Sequence, residues 1–151
     1  MLRLATPSDY PAMHRVRLAV RENALAKPGR ITEAEYIDAM GKLGQSWVVE
    51  HDGNIVAFAS GLNTGNVWAL FVHPNFEARG YGKLLHATLV AWLRALEVQP
   101  IWLTTGPGTR AERFYMLMGW KNCGLVEGEV RFELDAAKLP ENGVSRVAPA
   151  G

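Results

Sequence analysis

The chain reads as one α+β or α/β domain on a mixed sheet, and three observations lead to that class. Short stretches rich in β-branched and aromatic residues recur at 47–50, 55–60, Val67–Val72, Ile101–Thr105, 120–126 and 130–134. Among them lies one strong amphipathic helix pattern, 80–96. There Leu85, Leu89, Trp92, Leu93 and Leu96 recur at helical spacing, while Lys83, His86, Arg94 and Glu97 fall elsewhere. The interval 67–105 holds the lone strand–helix–strand crossover, which makes the sheet mixed.

The remaining elements follow from local chemistry. Residues 2–4 alternate apolar and basic and form a short first strand. Thr6-Pro7-Ser8-Asp9 is a helix-start cluster, and the helix it opens runs to about Val20, with Met13, Val16, Ala19 and Val20 near one face. Lys27-Pro28-Gly29 breaks it. Thr32 and Glu35 make a capping box for a second helix through about Lys42. Asp52-Gly53 joins two strands as a hairpin turn, and Pro74 ends the strand Val67–Val72. Thr109 and Glu112 make another capping box, for a helix that reaches about Leu117 and stops at Gly119. Glu127-Gly128 turns the final hairpin. The domain is expected to span 1–135, with a loosely ordered tail over 136–151 that holds two prolines and two glycines.

Composition narrows the function. Of 151 residues 48% are apolar, enough to bury a core, and the net charge of +1 with no basic run argues against nucleic-acid and membrane-surface partners. Cys123 is the sole cysteine, so an internal disulfide and a cysteine metal cluster are both excluded. A packed or half-exposed structural thiol is the better reading of it than a nucleophile. The first residues carry no apolar signal core, and the longest apolar run, Val67–Val72, is too short to span a bilayer. The expectation is a cytoplasmic protein without a metal.

The chemistry concentrates in Val72-His73-Pro74-Asn75-Phe76-Glu77-Ala78-Arg79-Gly80-Tyr81-Gly82-Lys83-Leu84. A buried strand ends, a loop turns, and glycines open a helix whose first N–H groups have no intrahelical acceptor. Those amides carry the positive end of the helix dipole, Gly80 and Gly82 let an anion approach the backbone, and Arg79 and Lys83 add charge. Taken alone, the glycine pair also fits a tight turn without a ligand. A dinucleotide fingerprint does not fit, because its third glycine falls at Leu85, and no Gly-Lys-Ser/Thr triplet makes a Walker loop.

Glu77-Ala78-Arg79-Gly80-Tyr81-Gly82 resembles the acetyl-CoA signature Gln/Arg-x-x-Gly-x-Gly/Ala of the GCN5-related N-acetyltransferase (GNAT) superfamily, with Glu77 at the position of Gln or Arg. Ala111-Glu112-Arg113-Phe114-Tyr115-Met116-Leu117-Met118-Gly119-Trp120 resembles a second segment of that family, Ala-x-x-Phe-Tyr-x-x-x-Gly-Phe/Trp, with Gly108 where an Asn is frequent. The order of elements matches over 2–134.

The resemblance implies a central mixed, mostly antiparallel sheet flanked by about four helices. It implies an N-acetyltransferase that moves an acetyl group from acetyl-CoA directly to a primary amine of a small molecule or peptide. The alternative is a non-catalytic acyl-CoA-binding sensor or regulatory module. The strand before the signature is expected to splay from its neighbour, with the main chain of Leu70, Phe71 and Val72 along the pantetheine arm. The pyrophosphate is expected on Arg79, Gly80, Tyr81, Gly82, Lys83 and Leu84. Tyr115 takes the family's place of proton donor to the departing thiolate. The strand that often carries a basic Glu has no carboxylate here, which leaves Glu22, Glu50, His51 and His73, and Glu22 at the end of the first helix is chosen for the acceptor side. Glu77 is expected to point away from the phosphates. A homodimer is left open.

Overall fold

A computed structural model describes residues 1–20 and 31–135. Two antiparallel sheets carry the fold. The first contains β1 (Leu2–Leu4), β2 (Gly44–His51), β3 (Asn54–Leu62) and β4 (Val67–Val72) in that spatial order. The second contains β5 (Ile101–Thr105), β6 (Lys121–Val126) and β7 (Glu129–Leu134) in the order β5-β7-β6. The helices among the described residues are α1 (Tyr10–Ala19), α2 (Glu33–Asp38), α3 (Tyr81–Ala95) and α4 (Arg110–Leu117).

The sheets meet at one parallel bridge, Asn66 to Trp102. The Trp102 amide donates to the Gly65 carbonyl at 3.0 Å, and the Asn66 side-chain amide donates to the Trp102 carbonyl at 3.2 Å. Past this point β4 and β5 share no ladder among the described residues, so the outer edge of β4 is left open. The arrangement is mixed and mostly antiparallel, as expected: two antiparallel sheets joined by a single parallel bridge.

Both hairpin turns take the backbone their sequences demand. Asp52 and Gly53 have φ of 53° and 80°, and Glu127 and Gly128 have φ of 53° and 84°. Positive φ at both central residues is the signature of the turn whose twist matches the strands it joins. The element limits differ in places. The start cluster forms a separate 3-10 turn, Pro7–Asp9, before α1 begins. The second helix is shorter than expected, ending at Asp38, although Thr32 and Glu35 do cap it reciprocally. Glu112 does not close a capping box on Thr109. Its carboxylate reaches one residue further and accepts from the Gly108 amide at 2.6 Å, while Thr109 Oγ1 accepts from the Glu112 amide at 3.2 Å. Cys123 is exposed on β6 rather than packed.

Two separate cores lie on opposite faces of the first sheet. On one face α3 lays Leu85, Leu89 and Leu93 against Ala57, Ala59 and Trp47, in a core that continues under α4 to Phe132. The approach is close: a Cβ added at Gly61 of β3 would sit 2.5 Å from Leu89 Cδ1. On the other face α1 and α2 bury Met13, Val16 and Tyr36 over Val48, Phe58 and Ala69.

His86, which sequence spacing leaves off the apolar stripe of α3, is the link between α3 and α4. Its Nε2 accepts from the Trp120 indole N–H at 2.9 Å, and its ring meets those of Phe114, Tyr115 and Trp120. An indole can only donate, so this nitrogen is unprotonated and the ring proton resides on Nδ1. Burial, aided by the charge of Arg94, pushes the His86 pKa down to about 4.

An unfolded histidine binds its proton near pH 6.5, whereas this one refuses it until about 4. Stability contributed by neutral His86 is thus present above the unfolded pKa and is lost as pH falls from there toward the folded value. Denaturant melts of the wild type between pH 7.5 and 4 should show that loss. His86→Gln keeps an acceptor for the Trp120 indole and removes the titration, so its melts should have a flatter pH dependence across the same window.

Candidate active site

The loop after β4 is built to start a helix with its amides exposed. His73 closes a 3-10 turn, Pro74–Phe76, by accepting from the Asn75 amide at Nδ1 (3.1 Å). Ala78 and Gly80 then take positive φ, 64° and 87°. Nothing lies within 4 Å of a Cβ placed on Gly80, so the left-handed backbone and not crowding selects glycine there. The helical ladder begins with the Leu84 amide, which donates to the Gly80 carbonyl at 3.0 Å. The amides of Tyr81, Gly82 and Lys83 precede that ladder and carry the positive end of a 15-residue helix. Leu84, counted in the cradle from sequence, has its own amide engaged in the helix.

Gly82 has a different reason to be glycine. A Cβ there would stand 3.8 Å from Val72 Cγ2 and 3.8 Å from Phe114 Cε1, ordinary contact distances that the protein could accept. Packing does not require the missing side chain, and a glycine inside a helix costs about 1 kcal/mol relative to alanine. The space it leaves lies between the end of β4, the first turn of α3 and Phe114 of α4, beside the amides that precede the helical ladder. Arg79 and Lys83 are exposed at its mouth, the Arg79 guanidinium resting 5.0 Å from the Phe76 ring centroid. Glu77 turns toward α4, where its carboxylate lies 3.4 Å from Arg110 Nη2. The charge expected to oppose a phosphate is thereby paired with a cation.

Leu70, Phe71 and Val72 pair with Ala59, Phe58 and Ala57 on one side only. Their other edge faces the gap left where β4 parts from β5. Tyr115 lies on the inner face of α4, 6% exposed, its ring against Trp120, Phe114, Phe132 and His86. Burial holds its phenol well above the ordinary pKa, and its hydroxyl has no hydrogen-bond partner among the described residues.

The candidate bases are differently placed. Glu50 accepts from Arg3 Nη2 at 3.0 Å, in a network where the same guanidinium grips both oxygens of Asp9 at 2.8 and 2.9 Å. His51 Nδ1 lies 3.1 Å from the Tyr81 hydroxyl, and its Nε2 lies 3.4 Å from Asp52, so it braces the start of α3. His73 caps its turn. Glu22 lies outside the described residues. Among the described residues no group of three or more His, Cys, Asp or Glu could hold a metal ion, and no helix is long and apolar enough to cross a membrane.

Sequence spacing missed Arg17. It occupies the apolar face of α1, four residues after buried Met13, and is itself buried. A basic residue in register with an apolar stripe was the signal available.

Residues 12–120 match the model of the acetyltransferase (GNAT) family. With the splayed strands and the glycine-opened helix that geometry defines a GNAT acetyltransferase, and the chain belongs to that family. Solved structures share its fold. The ribosomal-protein-S18-alanine N-acetyltransferase of Escherichia coli superposes with a TM-score of 0.73 at 18% identity, covering 94% of this chain and 97% of its own. The PaiA N-acetyltransferase of Thermoplasma acidophilum, solved in complex with coenzyme A, gives a TM-score of 0.75 at 11% identity, covering 89% and 98%. An N-acetyltransferase of Staphylococcus aureus Mu50 gives 0.69 at 17% identity, covering 90% and 98%. A comparison with curated proteins finds no match.

Gly82→Val should place a branched side chain in the space below the free amides, with little cost to a first helical turn. Calorimetric titration with coenzyme A should show an affinity loss of at least about tenfold, about 1.4 kcal/mol, in a variant that melts like the wild type. Unchanged affinity in that folded variant would remove the phosphate cradle from Gly82.

Proposed function

We propose that the protein transfers an acetyl group from acetyl-CoA to a primary amine of a small molecule or peptide, directly and without a covalent enzyme intermediate. The observation that carries this reading is the open edge of β4 ending beside the free amides of α3. One end of that track matches the hydrogen-bonding needs of an extended amide-bearing arm, and the other those of a pyrophosphate. Coenzyme A has both parts, and the relative from Thermoplasma acidophilum was solved with it. Backbone N–H groups along the same edge are suited to the thioester oxygen as charge develops on it.

The role assigned to Tyr115 follows from its burial. A phenol held above its ordinary pKa stays neutral throughout the working pH range. It yields its proton less readily than a thiol, which titrates near about 8.5. Tyr115 therefore serves the departing sulfur as a hydrogen-bond donor rather than by giving its proton away. The ring contacts with Trp120 and Phe132 fix its direction.

Deprotonation of the acceptor falls to water. Glu50 is committed to Arg3, and His51 to Tyr81. The same feature is what a non-catalytic acyl-CoA sensor would display. Acetyl-CoA turnover with an amine panel, read as released thiol, separates the two: a sensor binds coenzyme A and releases none.

Tyr115→Phe should lower kcat on the order of 10²-fold with little change in the KM for acetyl-CoA, because it removes one hydrogen bond to the developing thiolate while the ring still packs. A kcat within about twofold of the wild type at neutral pH would assign Tyr115 to packing alone, or chemistry to a step that does not limit the rate.

The kcat/KM for the acceptor should rise with pH toward the amine's own pKa, about 10.4 for a lysine-like amine. The raised pKa of Tyr115 keeps it from titrating on this limb. Glu22→Gln, Glu50→Gln and His51→Ala should each cost less than about tenfold. A plateau near pH 6–7 that disappears in one of these variants would identify a dedicated base, as that is about where a tuned carboxylate or histidine titrates.

A further inference from the structure

On the face of β4 opposite α3, a guanidinium is buried with no anion against it among the described residues. Arg17 is 8% exposed. Its Cζ lies 4.9 Å from the Trp68 ring centroid, 4.8 Å from that of Phe71 and 5.7 Å from that of Tyr36. Of its five N–H donors, one on Nη1 donates to the Tyr36 hydroxyl at 3.3 Å. No carboxylate pairs with it among the described residues. Around it among the described residues lie the rings of Tyr36, Trp68 and Phe71. His14 Nδ1 lies 3.0 Å from the same Tyr36 hydroxyl, and burial together with the charge of Arg17 holds its pKa down. The Tyr36 hydroxyl thus lies between the Arg17 guanidinium and the His14 ring.

Taking a guanidinium out of water is costly unless it is paired, and stacking on aromatic faces offsets only part of that cost. The stack also fixes the planar fork in one orientation, which is the geometry that grips a carboxylate with two parallel hydrogen bonds. Position decides what that carboxylate belongs to. Trp68 and Phe71 lie on β4 past the Asn66 bridge, where the strands have parted. The α3 side of this gap leads to the phosphate cradle. An acceptor must then come from the α1 side, where Arg17 waits.

We infer that Arg17 is the specificity-determining residue of the acceptor site, and that the acceptor is a small amine bearing a carboxylate, such as an amino acid. This rests on the transferase reading above. In the ground state the fork holds the carboxylate over the Trp68–Phe71 surface, and the amine beside it reaches through the gap toward the β4 edge. Arg17 orients the acceptor and takes no part in proton movement.

The experiment compares amino acids of several sizes with their primary amides and their decarboxylated amines, each assayed for acetyl-CoA-dependent thiol release. The wild type should favour the carboxylate-bearing member of each set by about tenfold or more in kcat/KM. Arg17→Met keeps a chain of similar length over the rings. It should lose about tenfold or more on the carboxylate-bearing members, stay within about threefold on the neutral ones, and leave the KM for acetyl-CoA unchanged. Arg17→Lys, a charge without a fork, should fall between them. Equal use of acids and neutral amines by the wild type overturns the inference while leaving acetyl transfer intact, and needs no variant to fold. An equal loss on every member in Arg17→Met makes the residue structural and overturns it as well. Failure to release thiol with any amine, despite coenzyme A binding, defeats the transferase reading and this inference with it.

Discussion

A strand edge that leaves its neighbour must satisfy its amides and carbonyls in some other way, and the arrangement of this molecule follows from that requirement. The Asn66–Trp102 bridge is the last strand pairing before β4 and β5 part among the described residues. Beyond it the free edge of β4 forms one wall of a gap, and α3 must pass beside that gap to connect the two strands. Since a crossover of this kind returns the chain to a parallel neighbour, the start of α3 comes to lie near the end of β4. The open edge and the exposed helical amides are thus brought together by a single topological choice.

The helix start is held in place from several directions. Tyr81 reaches His51 in the β2–β3 turn, Phe76 packs against both His51 and His73, and Glu77 reaches Arg110 on α4. A turn of backbone amides is only as accurate as the loop that aims it, and here the loop is tied to the first sheet and to α4. The pair of Glu77 with Arg110 also accounts for an acid in a signature that otherwise favours anions: its charge is answered on α4, away from the helix axis.

Much of the fold was legible because periodicity is a local property. The α3 stripe, the two Asp-Gly and Glu-Gly hairpins and the glycine-opened turn each speak for themselves within about ten residues. The candidate cradle could be read for the same reason, since its residues are contiguous. What stayed hidden depends on contacts between distant segments. Nothing local says that the Glu50 carboxylate meets Arg3, or that the His86 imidazole receives the Trp120 indole. The order β5-β7-β6 was not legible either, because it is set by β7 inserting between β5 and β6. Arg17 is an instructive case. Its position in the apolar register of α1 was visible, but a cation there can face a partner acid, water or a ring, and only the packing of Trp68, Phe71 and Tyr36 around it decides among them.

The two buried clusters flank the first sheet without sharing a side chain. One contains Leu85, Leu89 and Tyr115 and supports the helices of the cradle; the other contains Met13, Val16 and Tyr36 and supports the opposite face. A substitution that repacks one cluster meets only backbone at the sheet and leaves the other in its own minimum, because energetic coupling falls off between residues that share no partner. In evolutionary terms the chain is two separately adjustable halves around a common partition. A substitution under α1 and α2 can repack that side while the core of the opposite half keeps its own contacts.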